Sequence, residues 1–137
     1  MQTRSTAQRR TIVRVVRSSK RHPTAQDVYE EARRELPRIS LGTVYRTLST
    51  LCDEGEISRV EPEGGRARYD WNTDNHAHVI CVRCGRVEDL PDLRAGDPDG
   101  CDSCADRLLA LARKQSCFDI PAQGLLIRGY CPLCRRA

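Results

Sequence analysis

Residues 76–85 of this 137-residue chain have the sequence HAHVICVRCG, and a further Cys-x-x-Cys pair follows at Cys131 and Cys134. Thiolate ligands gather zinc and close small folds around it, whereas imidazole and carboxylate ligands suit a metal that exchanges or reacts. Because both kinds of ligand occur together in one short chain, the sequence predicts a protein that senses a metal as well as containing one.

Length and composition limit the classes of protein that are possible. A chain of 137 residues is one domain of typical size or two small ones. It has neither an apolar run of about 18 residues nor a signal-peptide pattern at its start, so we expect a soluble, cytoplasmic protein with no membrane partner. In that reducing compartment the eight cysteines indicate metal ligands or redox thiols before structural disulfides.

Positive charge is concentrated near the start of the chain. Residues 1–71 carry 14 basic and 10 acidic side chains, whereas residues 72–137 carry nine of each. Seven basic residues precede the first acidic one, Asp27. A basic arm beside helical segments predicts a polyanionic partner, although a solvated charged face would have the same composition.

The apolar periodicity of the N-terminal half predicts three helices. The first spans about residues 6–18. The second begins after Thr24, whose spacing to Asp27 is that of a capping box, and is ended by Pro37. The third, from about residue 41, has the apolar stripe Leu41, Val44, Leu48, Leu51 and Cys52.

The third helix predicts a DNA-reading surface. Ser40 caps its start and Gly55 ends it. Two strands, 56–60 and 67–71, follow around a Pro/Gly turn, so the half is a winged helix-turn-helix, whose third helix enters the major groove. Predicted DNA-contacting residues are Arg4, Arg9, Arg10, Ser40, Thr43, Tyr45, Arg46 and Thr50.

The C-terminal half has a different pattern. After a polar, turn-prone hinge at 72–75, strands are predicted at 76–82, 86–90 and 125–130, with one helix around 105–112. This half is too small to bury a large core, so a metal or a dimer interface must stabilise it. The predicted fold class is α+β, with a winged-helix domain at 1–71 and a dimerisation and metal-binding α/β domain at 76–137 that contains an antiparallel sheet.

Three Cys-x-x-Cys pairs compete for the zinc site. They are Cys81/Cys84, Cys101/Cys104 and Cys131/Cys134. The 16 residues between the first and second pairs suit a zinc ribbon. The first and third pairs both lie at strand ends, where tight turns can direct two sulfurs at one ion, while a helix start would make the second pair reactive. The pairing therefore stays open, as does the alternative of thiols without metal.

A second set of candidate ligands contains no cysteine. His76 and His78, two apart on a predicted strand, point to one face, and Asp70 and Asp89 lie on neighbouring strands. Such a set favours Fe(II) or Mn(II), although zinc can also occupy it. If His22 completes the set, the ion bridges the two halves. The alternative is that the histidines are only structural.

These motifs together resemble the ferric uptake regulator family of metal-dependent bacterial repressors. The resemblance implies a homodimer that binds a near-palindromic operator in double-stranded DNA, with structural Zn²⁺ held by the first and third cysteine pairs. The segments that carry it are Thr6-Ala7-Gln8-Arg9, His22-Pro23-Thr24-Ala25, Thr43-Val44-Tyr45-Arg46, His76-x-His78-x-x-Cys81-x-x-Cys84-Gly85 and Gly129-Tyr130-Cys131-x-x-Cys134.

Within the family, the second ligand set is most similar to that of the peroxide-responsive branch. Asp70 is informative, because zinc-responsive relatives tend to have cysteine there and iron-uptake regulators glutamate. The resemblance implies that bound Fe(II) reacts with hydrogen peroxide and that a ligand histidine is oxidised, which releases DNA, whereas Mn(II) represses without this reaction. The implied regulatory ligands are His22, Asp70, His76, His78 and Asp89.

Other functions fit the sequence less well. An iron-, manganese- or zinc-uptake regulator without peroxide sensing is the alternative within the family. A zinc deaminase needs His-x-Glu and Pro-Cys-x-x-Cys, and neither is present. A thiol redox module would leave the basic helical half without a role. Four cysteines receive no role from the sequence: Cys52, Cys101, Cys104 and Cys117.

Overall fold

A computed structural model describes residues 4–62, 64–73, 76–90, 104–120 and 125–136. The chain divides into two compact units, Met1–Thr73 and Asp74–Ala137. The first unit contains α1 (Arg4–Ser18), α2 (Ala25–Glu35), α3 (Leu41–Asp53), β1 (Ser58–Val60) and β2 (Arg68–Asp70). The second contains β3 (His78–Cys81), β4 (Val87–Asp89), α4 (Cys104–Gln115) and β5 (Leu126–Gly129).

The helix boundaries of the first unit follow from local sequence signals. The Thr24 side chain accepts a hydrogen bond from the Asp27 amide at 3.2 Å, and Asp27 Oδ2 accepts one from the Thr24 amide at 2.9 Å. This confirms the predicted capping box at the start of α2. Ser40 caps α3 by accepting from the Thr43 amide at 3.1 Å. After α3, Gly55 has a φ of 74°, the left-handed conformation that glycine adopts most easily at a helix end.

An apolar core joins the three helices to the hairpin of the first unit. Ile12, Val28 and Leu48, one from each helix, are completely buried. Ile57 and Tyr69 close the core from the hairpin side. Burying one such aliphatic side chain is worth roughly 1.5–3 kcal/mol before the entropy cost of folding, so this unit has an apolar source of stability that needs no metal.

The hairpin also fixes the connection between α1 and α2. β1 and β2 are antiparallel, with Ser58 opposite Asp70. On the other side of β2, the Tyr69 amide donates to the Pro23 carbonyl at 3.0 Å, and Thr24 forms an isolated antiparallel bridge with Arg68. The residues just before α2 are therefore attached to β2 by backbone hydrogen bonds.

The sheet of the second unit has the order β4-β3-β5. β3 and β4 are antiparallel, joined by a turn in which Gly85 has a φ of 74°, but β3 and β5 are parallel. The α+β fold class is confirmed, yet the sheet predicted as antiparallel is mixed. The reason is the connection: β5 follows β3 only after β4 and α4, and so long a crossover allows parallel pairing.

His76 does not lie on the strand where the sequence placed it. β3 begins at His78, which pairs with Asp89, and the Leu90 amide donates to the Ala77 carbonyl at 2.9 Å. His76 therefore precedes the strand.

The core of the second unit is small. Among its described residues, Ala77, Ile80, Val87 and Leu109 are the buried aliphatic side chains. The loop predicted at 91–100 lies outside the described residues, as does Cys101. None of the helices in the described residues has the length and apolarity needed to span a membrane.

Candidate metal centres and nucleic-acid interface

Four cysteines of the second unit form one cluster. Cys81 ends β3, Cys84 lies in the turn after it, and Cys131 and Cys134 follow β5. Their sulfurs all lie within 4.8 Å of one another. The parallel pairing of Cys81 with Gly129 explains the meeting, because it brings the residues after β5 beside the turn after β3. The structure thus brings the first and third cysteine pairs together, while the side chains of Cys101 and Cys104 lie outside the described part of the chain.

The cluster has the dimensions of a tetrahedral zinc site. The Cys84 and Cys131 sulfurs are 3.8 Å apart. Zinc–sulfur bonds of about 2.3 Å at the tetrahedral angle place two sulfurs roughly 3.8 Å apart. Turns support each pair: the Gly85 amide donates to the Cys81 carbonyl at 2.9 Å, and the Cys134 amide donates to the Cys131 carbonyl at 3.0 Å. The donor chemistry and the spacing both fit zinc.

Three thiols of the cluster have pKa values that are shifted in different directions. Backbone amides, first that of Cys131 and then that of Cys84, lower the pKa of Cys81 to about 6. The Cys134 amide lowers the pKa of Cys131. The hydrogen bond with Cys131, together with burial, raises the pKa of Cys134 to about 12. Part of the cluster is therefore already anionic near neutral pH, which favours capture of a cation.

A second donor cluster in the same unit consists of two histidines and one aspartate. His76 Nε2 lies 3.0 Å and His78 Nε2 lies 3.2 Å from the same oxygen, Asp89 Oδ1. The two imidazole rings are 4.4 Å apart between centroids. The β3–β4 register causes this convergence, because it places His78 directly opposite Asp89. Ligands at about 2.1 Å from one ion, at nearly right angles, would also lie about 3 Å apart.

The first unit contains a His–Asp pair with the same types of donor group. His22 Nε2 lies 3.2 Å from Asp70 Oδ2, and both side chains are buried, with exposures of 7% and 3%. His22 comes from the connection between α1 and α2, and Asp70 is the last residue of β2. His22 has a φ of 50°, an unusual conformation for any residue other than glycine. Each unit therefore supplies part of the predicted regulatory ligand set.

The exposed face of α3 has donor groups at regular intervals. Arg46 Nη2 donates to Thr43 Oγ1 at 3.2 Å, and Ser40 Oγ and Thr43 Oγ1 are 2.9 Å apart. Thr50 Oγ1 donates to the Arg46 carbonyl at 3.0 Å, and Tyr45 is 52% exposed. Thr43, Arg46 and Thr50 thus follow one face of α3, with the exposed Tyr45 at its edge.

A groove beside this face contains residues that sequence reasoning missed. Its volume is about 700 Å³, and Tyr45 and Arg46 line it on the α3 side, with Arg59 and Arg66 from the hairpin. Arg59 forms an ion pair with Glu61, whereas Arg66 has no hydrogen-bond or ion-pair partner among the described residues. Their positions on either side of the predicted Pro/Gly turn were the available signal.

Arg9 makes an intramolecular contact. It forms ion pairs with Glu54, which raises its pKa, and with Glu56 at 3.0 Å. These contacts tie α1 to the segment after α3. The Arg4 side chain lies outside the described residues, and the DNA contacts predicted for Arg4, Arg9 and Arg10 stay predictions.

Comparison with known proteins identifies the family. Residues 1–96 match the sequence model of the ferric uptake regulator family. The peroxide-responsive repressor PerR of Staphylococcus epidermidis is 33% identical over 134 residues, covering 96% of this chain and 81% of the relative. The chain belongs to the ferric uptake regulator family. It is therefore a metal-dependent, DNA-binding transcriptional regulator and not an enzyme.

Solved structures of family members have the same fold. The peroxide stress regulator of Campylobacter jejuni has a TM-score of 0.69 at 26% identity, covering 95% of this chain and 90% of the other. The ferric uptake regulator Fur of Helicobacter pylori has a TM-score of 0.72 at 24% identity, with coverages of 95% and 81%. The predicted family and the similarity to its peroxide-responsive branch are confirmed.

Proposed function

We propose that this regulator is a peroxide-responsive homodimeric repressor, acting in the cytoplasm, that binds its operator when Fe(II) or Mn(II) occupies a site built from both units. The observation that carries the proposal is the donor set: a buried His–Asp pair in the first unit and a His–His–Asp cluster in the second, with no thiolate in either. The S. epidermidis relative is a peroxide-responsive repressor by name, which supports the same assignment.

The thiolate cluster has a different role in the proposal. Cys81, Cys84, Cys131 and Cys134 hold a permanent zinc ion that stabilises the second unit. Support comes from sulfur spacing and from the few buried aliphatic side chains among that unit's described residues. Four thiolates close the coordination sphere of a structural zinc ion, which leaves no position for exchange or reaction.

The regulatory ion joins the units because neither half supplies enough ligands. Mn(II) prefers roughly six ligand atoms from oxygen and nitrogen donors. His22 and Asp70 give two donor groups, and His76, His78 and Asp89 give three. Binding of one ion by all five groups would set the arrangement of the DNA-binding surface relative to the second unit. Without the ion, the two units would no longer be held in that arrangement. The protein would then dissociate from DNA.

The second unit is proposed to form the dimer. Several of its large apolar side chains are exposed, and β5 has an outer edge without a neighbouring strand among the described residues. Unpaired strand edges with apolar flanks are surfaces on which chains associate. A two-fold dimer requires a near-palindromic operator. The exposed side chains are Val82, Leu108, Leu111, Phe118, Ile127, Tyr130 and Leu133.

The first unit is proposed to read DNA, and the proposal keeps the predicted DNA-binding domain at 1–71, hinge at 72–75 and dimerisation domain at 76–137. Thr43, Tyr45, Arg46 and Thr50 face the major groove, and Ser40 lies at the N-terminal end of the same helix. Arg66, exposed and without a partner among the described residues, is suited to a backbone phosphate.

Peroxide sensing depends on the histidine ligands. When bound, Fe(II) would activate hydrogen peroxide, which is itself the two-electron oxidant of the imidazole, with no net change in the oxidation state of the iron. One oxygen atom is transferred to a carbon of the His22 or His76 imidazole, and the other leaves as water. An oxidised imidazole is a poorer ligand, so the site loses its ion and the repressor leaves DNA.

The test compares Fe(II) and Mn(II) forms of anaerobically purified protein. Operator binding is measured before and after a small excess of hydrogen peroxide, and oxidised residues are located by mass spectrometry. We expect the Fe(II) form to lose DNA and gain one oxygen atom at His22 or His76, while the Mn(II) form keeps its DNA. Retention of DNA by the oxidised Fe(II) form would instead support a metal-uptake regulator.

A further inference from the structure

His22 is held in a conformation that its sequence context disfavours. Its φ of 50° lies in the left-handed region, where a side chain with a Cβ is strained. It also precedes Pro23, and a residue before proline is further restricted, toward extended conformations. Such a conformation persists only when the surrounding structure enforces it.

The enforcing contacts come from β2. Arg68 Nη1 donates to the His22 carbonyl at 3.1 Å, with a longer contact to the Arg21 carbonyl at 3.4 Å. One residue further along β2, the Tyr69 amide donates to the Pro23 carbonyl at 3.0 Å. The guanidinium is thus bound to the backbone of the residue whose imidazole is the proposed ligand.

The same strand supplies the neighbouring ligand. Residues two apart on a strand point to the same face, so Arg68 and Asp70 are on one side of β2. Asp70 Oδ2 is 3.2 Å from His22 Nε2. β2 therefore carries one proposed ligand and also fixes the backbone of the other, which sets the separation of the two donor atoms.

We propose that Arg68 is a positioning residue of the regulatory metal site: by binding the His22 carbonyl it holds the strained backbone that places the imidazole beside Asp70. This inference rests on the proposed function, because it assumes that His22 is a ligand. Arg68 raises the affinity for the metal because it fixes the positions of His22 and Asp70 before the ion binds, as groups that orient metal ligands do. This role requires no contact of Arg68 with the ion or with DNA.

The chain offers a matched control for this proposal. Arg66 is on the same hairpin, two residues away, but it is exposed and has no hydrogen-bond or ion-pair partner among the described residues. Arg68→Met keeps the aliphatic stem and removes the donors, and Arg68→Lys keeps the charge and one donor group. Arg66→Met removes an equal charge without affecting the His22 carbonyl.

The experiment measures Mn(II) affinity and the visible spectrum of Co(II) at the regulatory site in full-length, zinc-loaded protein. We expect Arg68→Met to weaken Mn(II) binding by about 10-fold to 100-fold and to change the Co(II) spectrum, while Arg68→Lys recovers part of the affinity. Arg66→Met should match the unsubstituted protein in both. All variants should keep the helical circular dichroism of the unsubstituted protein at the assay temperature, which excludes unfolding of the helical first unit.

A second ligand variant separates this inference from the proposed function. His22→Asn removes the imidazole while asparagine still tolerates a positive φ. If His22→Asn leaves Mn(II) affinity unchanged, the proposed ligand set is wrong. If His22→Asn weakens binding but Arg68→Met does not, or if Arg68→Met weakens binding equally in the His22→Asn background, the positioning role is wrong. The inference predicts little further loss in that background.

Discussion

The two candidate metal centres differ in where their ligands come from. All four thiols of the zinc cluster belong to the second unit, at two turns that parallel strand pairing brings together. The proposed regulatory ligands are divided, with His22 and Asp70 in the first unit and three more in the second. A site contained in one unit can only stabilise it, whereas a site that needs both units responds to, and controls, their arrangement.

The two units also differ in what holds them together. The first has an apolar core in which Ile12, Val28 and Leu48 are fully buried. The described part of the second has few buried aliphatic side chains and a cluster of four thiols instead. We infer that the second unit depends on metal for its stability and the first does not, and the first two predictions below test that contrast.

The largest effect is expected from removing one thiolate. Cys84→Ser should reduce zinc to well below one ion per chain and abolish the cooperative unfolding of the second unit, since structural zinc supplies on the order of 10–16 kcal/mol in small folds. Metal analysis and thermal unfolding measure this. Cys117→Ser, at an exposed cysteine outside the cluster, is the control and should retain zinc. A zinc-free Cys84→Ser protein with normal unfolding would show that the thiols are not structural.

A cavity in the first unit should have a smaller and metal-independent effect. Leu48→Ala removes a fully buried side chain and should lower the free energy of unfolding by about 2–5 kcal/mol. Zinc content should not change. The exposed neighbour Ser49→Ala should remain within about 0.5 kcal/mol. Loss of zinc from Leu48→Ala would mean that the two sources of stability are not separate.

Two arginines of the first unit should affect DNA binding in different ways. Arg46→Ala should weaken operator binding by about 1–3 kcal/mol and relax sequence preference if Arg46 reads a base. Arg66→Ala should weaken operator and random DNA alike and reduce the salt slope by about one. Titrations of both DNAs at several salt concentrations distinguish the roles. Equal losses on both DNAs for Arg46→Ala would restrict it to a phosphate contact.

The smallest effect concerns protons in the zinc cluster. The Cys81 pKa of about 6 lies below the ordinary 9.0, so its thiolate stabilises the fold above pH 9, and this contribution is lost as pH falls through 6. The pKa of Cys134 is shifted in the opposite direction, to about 12, so that thiol stays protonated at neutral pH. Because Cys81 is already ionised near neutral pH, zinc uptake at that pH should release fewer than four protons. Calorimetry in buffers of different ionisation enthalpy measures this number. Release of all four would contradict the pKa assignments.

Local signals predicted the first unit well. The three helices, the Thr24 capping box and the Ser40 cap all follow from periodicity and capping chemistry, which depend on residues close in sequence. The α+β class and the family were predicted as well. These features needed no knowledge of which distant segments meet.

The sequence pattern could not predict which distant segments of the chain pair with one another. Spacing left the cysteine pairing open, and only the β3–β5 register explains why Cys131 approaches Cys81. The same register made the sheet mixed. The strand predicted to carry His76 begins two residues later, at His78.

Backbone strain and the partners of individual side chains also could not be predicted from the sequence. No sequence signal indicates that His22 has a positive φ or that Arg68 binds its carbonyl. Arg9 was assigned to DNA by charge alone, and its ion pairs with Glu54 and Glu56 depend on how α1 packs against the segment after α3. Such contacts are properties of the folded chain.

The central claim is that a single exchangeable ion is held by ligands from both units. Electron paramagnetic resonance of Mn(II) gives the number of bound ions in zinc-loaded protein, in His22→Asn and in His78→Asn. We predict one regulatory ion per chain in the unsubstituted protein and none at the same free Mn(II) concentration in either variant, with operator binding lost in both. If either variant keeps its Mn(II) and represses normally, the ion does not join the two units.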